Sequence, residues 1–341
     1  VRRGEDGVKA DGTETIIAGD LGGTKTLLAL YHERNGRFAL LRDATFKSRE
    51  HKTFEEILDA FLAGGPAEPI DAACFDVAGP VSEGRVQTTN LPWLLDERAL
   101  ASKLGTPRVK LLNDLEATAY GMLHLPAADV ACLHPGASPA RQGHIAVIAA
   151  GTGLGEAYLF FDGQAHHPIA SEGGHADFAP RTDLEIGLLR WLRERLGGHV
   201  SYERVLSGPG LFSIYEYLRD TGFAPEPDWL AAELKGGGDP SAIVSRAALE
   251  KSDPLATQAL DTFCELYGAE AGNMALRCLT TGGVFVGGGI APKILPALQR
   301  GFVRGYLDKG RFAELVGAIP VHVSLEPRTA LLGAANYALR L

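Results

Sequence analysis

The sequence predicts an α/β protein made of two related domains. Two stretches carry that reading, TETIIAGDLGGTKTLLALY at residues 13–31 and HIAVIAAGTGLGEAYLFF at residues 144–161. In each, an apolar strand runs into a glycine-rich turn and another apolar strand follows, and one such unit falls early in each half of the chain. At 341 residues the chain is also long for one hydrophobic core, which makes two domains the natural prior.

The first turn, GDLGGTKT at residues 19–26, is one substitution from a P-loop, with Thr24 where that pattern wants glycine. A P-loop needs a helix directly after its lysine, so that the helix N-terminus faces the phosphates. Here residues 26–31 form an apolar run, Asn35-Gly36 is a hairpin-turn signal, and another apolar run follows. The expected unit is therefore a β-hairpin whose backbone N–H groups point at a phosphate. Asp20 beside a phosphate would be repulsive without an intervening cation, so its place there implies Mg²⁺. Taken alone, Asp-x-Gly-Gly is equally readable as a plain turn.

The second unit carries Gly151-Thr152-Gly153-Leu154-Gly155 between its strands. A third glycine element, VFVGGGIAPKILPAL, runs from strand through Gly287-Gly288-Gly289 to a helix expected to begin near Pro292. A fourth, Leu206 to Leu211, precedes the amphipathic LFSIYEYL. Two matched hairpins plus a strand–GGG–helix unit could hold both ends of a nucleotide. A Rossmann fold is excluded, since no G-x-G-x-x-G opens a helix after the first strand.

Composition narrows the function classes. A net charge of −9 argues against nucleic acid as a main partner, because backbone binding needs a basic face. No apolar run approaches the ~20 residues that span a bilayer. The start, VRRGEDGVKADGTET, lacks the apolar core of a secretory signal, and residues 1–13 read as a short disordered lead-in. Cys74, Cys132, Cys264 and Cys278 form no C-x-x-C or zinc-ligand spacing, and are expected as buried reduced thiols of a cytoplasmic protein.

Two polar clusters remain. VKLLND reads as a strand ending at Asn113-Asp114, and LEATAYGML continues as a helix, so Asp114 sits at a strand-to-helix junction. It is readable there as a helix cap or as a general base. In Glu172-Gly173-Gly174-His175 two glycines let the backbone turn, so that both side chains can face one ligand; alone, such a histidine is more often structural. In TTNLPW, Asn90 and Trp93 are readable as neighbours of a sugar, or Trp93 as the anchor of a turn.

With GDLGGT, LLND, GTGLG, SEGGHADFAP, YERVLSGPG and FVGGGIAPK together, the chain from about Ile16 to its C-terminus resembles the bacterial glucokinase family of the sugar kinase, Hsp70 and actin superfamily. The resemblance implies two RNase H-like (actin-like ATPase) α/β domains flanking an active-site cleft: a small one of residues 14–124 plus 326–341, and a large one of residues 125–325. It implies ATP-dependent transfer of the γ-phosphoryl group to the 6-hydroxyl of glucose, with Asp114 as general base. Asn113, Asp114, Glu172, His175 and Glu203 match the glucose-binding positions. Gly19, Asp20, Leu21, Gly22, Gly23, Thr24, Gly151, Thr152, Gly153, Gly287, Gly288 and Gly289 match the nucleotide-binding ones, Asp20 holding Mg²⁺ through water. Lys25 departs from the asparagine of related chains, and its role stays open. A cytoplasmic homodimer is implied as well, with glucose and ATP as partners and no membrane or nucleic acid.

The competing readings are a kinase for another hexose such as mannose or glucosamine, a ROK-type sugar kinase, and a non-catalytic sugar sensor. The ROK pattern follows its Glu-x-Gly-His motif with a zinc-binding cysteine cluster that this sequence lacks, and no DNA-binding domain is expected before Ile16. A sensor would not need Asp114, Glu172, His175 and Glu203 together.

Overall fold

A computed structural model describes residues 12–65, 68–88, 90–137 and 142–341. All but the last two residues of the expected lead-in lie outside the described residues. The chain divides into two compact units, Val1–Leu125 with Arg328–Leu341, and Pro126–Pro327.

The first unit contains β1 (Glu14–Leu21), β2 (Lys25–Arg34), β3 (Arg37–Lys47), α1 (Phe54–Ala63), β4 (Ala72–Val77), β5 (Arg85–Gln87), β6 (Leu94–Asp96), α2 (Glu97–Leu104), β7 (Val109–Asn113) and α3 (Asp114–Met122). Its main sheet runs β3-β2-β1-β4-β7, and β5 and β6 form a separate ribbon. β1, β2 and β3 make an antiparallel meander, whereas β4 and β7 run parallel to β1. The β2–β3 turn is Asn35-Gly36 with φ of 54° and 76°, the pair of left-handed residues that a tight two-residue hairpin requires.

β1 is buried on both faces because two helical layers cover it. Ile17 and Leu21 pack with Phe54, Ile57, Phe61, Phe75 and Trp93. Ile16 and Ala18 pack instead with Ala117 of α3 and with Leu331, Ala334 and Ala335 of the C-terminal helix Thr329–Ala338. The end of β1, where Asp20 sits, is thus held from both sides.

The second unit repeats the plan. It contains β8 (Val130–His134), β9 (Ile145–Ala150), β10 (Leu154–Phe161), β11 (His166–Ser171), α4 (Asp183–Leu196), α5 (Gly208–Asp220), α6 (Asp228–Lys235), α7 (Pro240–Glu250), α8 (Pro254–Cys278), β12 (Gly283–Gly287), α9 (Leu295–Leu307), α10 (Ala313–Gly317) and β13 (Val321–Ser324). The sheet order is β11-β10-β9-β12-β13-β8. β9, β10 and β11 form an antiparallel meander, β12 and β13 add in parallel, and β8 closes the edge antiparallel. Its core is built around α8, whose Phe263, Tyr267, Ala271 and Met274 are all buried.

Two readings need correction. Cys132 is exposed, not buried: β8 is an edge strand, and its alternation turns that side chain to solvent, while Cys74 and Cys264 are buried and Cys278 half-buried. The helix after the glycine triplet begins at Leu295, because Pro292 falls in a single 3₁₀ turn, Ala291–Ile294, and Pro296 enters the first turn of α9. Of the two readings of Trp93 the structure supports the anchor, since the side chain is 1% exposed and its Nε1 donates to the His51 carbonyl at 3.2 Å. No helix among the described residues is long and apolar enough to cross a membrane.

Candidate active site

In the first unit the turn between β1 and β2 is braced from below. The Gly22 N–H donates to the Lys25 carbonyl at 3.0 Å, closing the hairpin. Ser48 donates its hydroxyl to the Gly22 carbonyl at 2.7 Å, and its backbone N–H donates to the Thr24 carbonyl at 3.0 Å. Thr24 and Lys25 are exposed, and Gly22 and Gly23 half-buried. Gly19 and Leu21 lie inside β1 with nothing but backbone to offer a ligand, since Gly19 is wedged against Leu28 and Phe75 and Leu21 is in the core. Asn90 packs against Gly23, beside the hairpin turn.

Three carboxylates gather at the adjoining strand ends. Asp20 and Asp76 are direct partners across the parallel β1–β4 pair, and Asp114 begins α3 where β7 stops. Asp76 is fully buried, and neither of its oxygens has a donor. A hydrogen bond between it and Asp20 therefore requires a proton on one of the two. Burial first, then the Asp20 and Asp114 charges, push the Asp76 carboxyl well above its ordinary value. Burial also raises Asp20, and its contact with Asp76 works against that shift. Among the described residues no group of three His, Cys, Asp or Glu side chains is arranged to hold a metal ion. A cation drawn to this concentration of negative charge would accordingly take most of its ligands from phosphate and water.

Asn113 caps α3, and its role is explicit in the geometry. Its Oδ1 accepts from the Leu115 N–H at 2.9 Å, while Glu116 reaches back to the Asn113 N–H at 2.9 Å, completing a capping box. Its Nδ2 donates to the Gly79 carbonyl at 3.1 Å. The cap is therefore Asn113, and Asp114 is the first helical residue, half-buried, with its Oδ1 2.9 Å from the Leu115 nitrogen.

In the second unit four elements converge on the β9–β10 turn. The Gly151 N–H donates to the Gly153 carbonyl at 2.8 Å, and Thr152 is exposed at the tip. The first N–H of α5, from Gly208, donates to the Gly151 carbonyl at 2.8 Å, so a helix N-terminus abuts the turn. Ser207 holds that terminus, accepting from the Gly210 N–H at 3.0 Å and donating to the Glu203 carbonyl at 2.7 Å. Gly288, with φ of 81°, presses so close to the Ala150 carbonyl that a Cβ there would overlap it; Gly288 and Gly289 are exposed, and Gly287 is buried.

Glu203 joins this turn to the second polar cluster. Its Oε2 accepts from the Leu154 N–H at 3.0 Å, beside Gly153. Glu172 precedes and His175 ends a single 3₁₀ turn, Gly173–His175, with His175 Nε2 3.8 Å from Glu172 Oε2 and both side chains exposed. The segment after it pairs with the one before Glu203, through Tyr202 N–H to the Ala176 carbonyl at 3.0 Å and Phe178 N–H to the Val200 carbonyl at 2.9 Å. Glu172, His175 and Glu203 thus form one group, adjoining the Gly151–Gly153 turn.

Sequence reading missed Tyr267, which braces the turn from the core. The Ala150 N–H donates to its hydroxyl at 2.8 Å, and the carbonyls of Ile148 and Gly287 lie 3.3 and 3.4 Å away to accept its proton. One hydroxyl thereby ties the ends of β9 and β12 together. Tyr267→Phe strands a buried N–H, and we expect a stability loss of about 1–3 kcal/mol in urea melts. An unchanged midpoint would show that the three strand-end groups find other partners.

A family model for glucokinase matches residues 17–341. The chain belongs to the glucokinase family. It is 41% identical over 339 residues to the glucokinase of Nostoc punctiforme, covering 96% of this chain and 99% of that protein. The glucokinase of a Synechocystis strain is 42% identical, covering 94% of this chain and 96% of the relative. Among solved structures, the crystal structure of a glucokinase from an Antarctic psychrotroph is similar with a TM-score of 0.84 at 29% identity, covering 96% of this chain and 99% of that one. The two meander-plus-parallel sheets accordingly belong to the actin-like ATPase fold of this family.

Proposed function

We propose that this chain is an ATP-dependent glucokinase, transferring the γ-phosphoryl group of ATP to the 6-hydroxyl of glucose. The observation that carries the reading is the bond from the Leu154 N–H to Glu203, which holds the carboxylate assigned here to a sugar hydroxyl against the turn assigned here to phosphate. The family match and the two glycine hairpins support it.

In this reading Asn113, Glu172, His175 and Glu203 take the sugar hydroxyls, each of which both donates and accepts. Gly23 and Thr24 on one hairpin, and Thr152 and Gly153 on the other, present N–H groups to the terminal phosphates, on turns that the Gly22 and Gly151 N–H groups close, and Gly287–Gly289 admits the α-phosphate and nucleoside. Asp20 would hold Mg²⁺ through water, and the ion would supply neutralisation of phosphate charge. The 6-oxygen forms its bond to the γ-phosphorus as the bond to the β–γ bridging oxygen breaks, and its proton passes to Asp114. Glucose 6-phosphate and ADP result. Cytoplasmic location and a homodimer, implied by the resemblance, belong to this proposal too; sedimentation of the purified chain reads the second directly.

The test is a coupled ADP-release assay with ATP across glucose, mannose, fructose, glucosamine and N-acetylglucosamine. Glucose is expected to give the highest kcat/KM, because polar groups built for its hydroxyls are left unpaired by a sugar that lacks one. Turnover favouring another sugar would overturn the assignment. Glu172→Gln is expected to raise KM for glucose about tenfold or more, with KM for ATP nearly unchanged, as a charge-assisted bond is lost. Equal weakening of both substrates would make Glu172 a support of the fold.

A further inference from the structure

Beneath the Glu172–His175 turn lies a carboxyl that the proposed mechanism does not use. Glu156 in β10 is 1% exposed, and neither of its oxygens has a hydrogen-bond partner. It is the direct cross-strand partner of Ser171, the last residue of β11 before the turn. Its Oε2 lies where a Cβ on Gly173 would stand, and Gly174 is pressed against the Leu154 carbonyl in the same way. The turn therefore rests on Glu156 with no side chain between them.

We propose that Glu156 is a positioning residue for the sugar: as a neutral carboxyl it supports the Gly173 bend that aims Glu172 and His175, and as a carboxylate it displaces that bend. The inference rests on the function proposed above.

The surroundings set which form is present. From α8, Glu270 is fully buried and faces Glu156 with its own charge, while Arg277, bonded to Glu270 at 2.6 Å, offsets it in part. Asn273 also donates to Glu270, at 2.8 Å, which leaves Arg277 and Asn273 committed there. Tyr267 of α8 and Tyr158 of β10 are near enough to feel the Glu156 charge, and both phenols are raised far out of the working range, chiefly by burial. Glu172 and His175 stand on the turn itself. Burial first, then the Glu270 charge, pushes Glu156 up to about 8. At pH 7 it is mostly neutral. Above pH 8 it acquires a charge with no donor to receive it, and relief requires water or movement of the glycine turn, its softest neighbour.

If only the neutral form binds glucose, the competent fraction falls to about one tenth at pH 9, and the apparent affinity falls with it. The experiment measures KM for glucose and for ATP from pH 6 to 9.5 in the whole chain and in Glu156→Gln, a neutral isostere. Wild type should show a rise of about tenfold in KM for glucose from pH 7 to pH 9, with KM for ATP within about twofold. Glu156→Gln should keep the pH 7 value within about threefold and lose the rise. Calorimetric titration of wild type with glucose at pH 8.5, in buffers of different ionisation enthalpy, should show proton uptake on binding.

A flat glucose KM in wild type, or binding without proton uptake, overturns the proposal even if the glutamine variant does not fold. A rise that persists in Glu156→Gln also overturns it, and assigns the titration elsewhere. Lys309 is the next group to examine, lowered to about 8 by burial and donating to the Ala269 carbonyl at 2.9 Å. Failure of wild type to bind glucose even at pH 7 would remove the proposed function itself, a result distinct from either of these.

Discussion

Asp114→Asn is expected to lower kcat for glucose phosphorylation by about a hundredfold or more, with KM for glucose within about threefold, the usual scale for a lost general base. The substitution isolates chemistry from folding because Asp114 is not the helix cap. Asn113 and Glu116 form the capping box, and an asparagine oxygen can keep the 2.9 Å contact to Leu115 N that Asp114 Oδ1 makes. What is lost is the ability to accept a proton. A carboxylate is a far weaker base than an alkoxide, so the proton must leave late, once the phosphoryl bond to its leaving oxygen is largely broken. Asp114 then orients the hydroxyl early and takes its proton at the end. Near-normal turnover of a well-folded Asp114→Asn would leave it only an orienting residue.

The sequence announced the parts of this molecule that depend on neighbours along the chain. The Asn35-Gly36 turn, the β1–β2 and β9–β10 glycine hairpins and the strand-to-helix step at Asn113-Asp114 all follow from local turn chemistry and strand alternation. What stayed hidden depends on pairs far apart in the chain. Asp76 reads as one polar residue in an apolar strand, and only the parallel β1–β4 register sets it against Asp20. Glu156 reads as the polar residue after a glycine turn, and it takes the β10–β11 pairing to lay it under Gly173. Tyr267 sits in a long apolar helix where nothing marks its hydroxyl as the tie between two strand ends. Cys132 miscarried for a related reason. A lone thiol does not say which way its side chain faces until the sheet edge is in place.

The second large effect tests how Asp114 is held. α3 and the C-terminal helix meet backbone to backbone: a Cβ on Gly333 would overlap the Ala117 carbonyl, and one on Gly121 would overlap the Thr329 carbonyl. Helix propensity alone says that Gly333→Ala should stabilise by about 1 kcal/mol. The close approach says the opposite, because the neighbour that must yield is backbone and not a flexible side chain. We expect Gly333→Ala to destabilise by about 1–3 kcal/mol, and Gly333→Leu by about 3 kcal/mol or more, in denaturant melts. Gly198→Ala, where a Cβ would meet nothing within 4 Å, serves as the control and should stay within about 0.5 kcal/mol of wild type. A stabilising Gly333→Ala would mean that the two helices separate at no cost. The same displacement has a chemical consequence, because α3 begins at Asp114 and carries it when it shifts. The folded fraction of Gly333→Ala should therefore lose turnover with little change in KM for ATP, since misplacing a catalytic group by about 1 Å can cost on the order of a hundredfold.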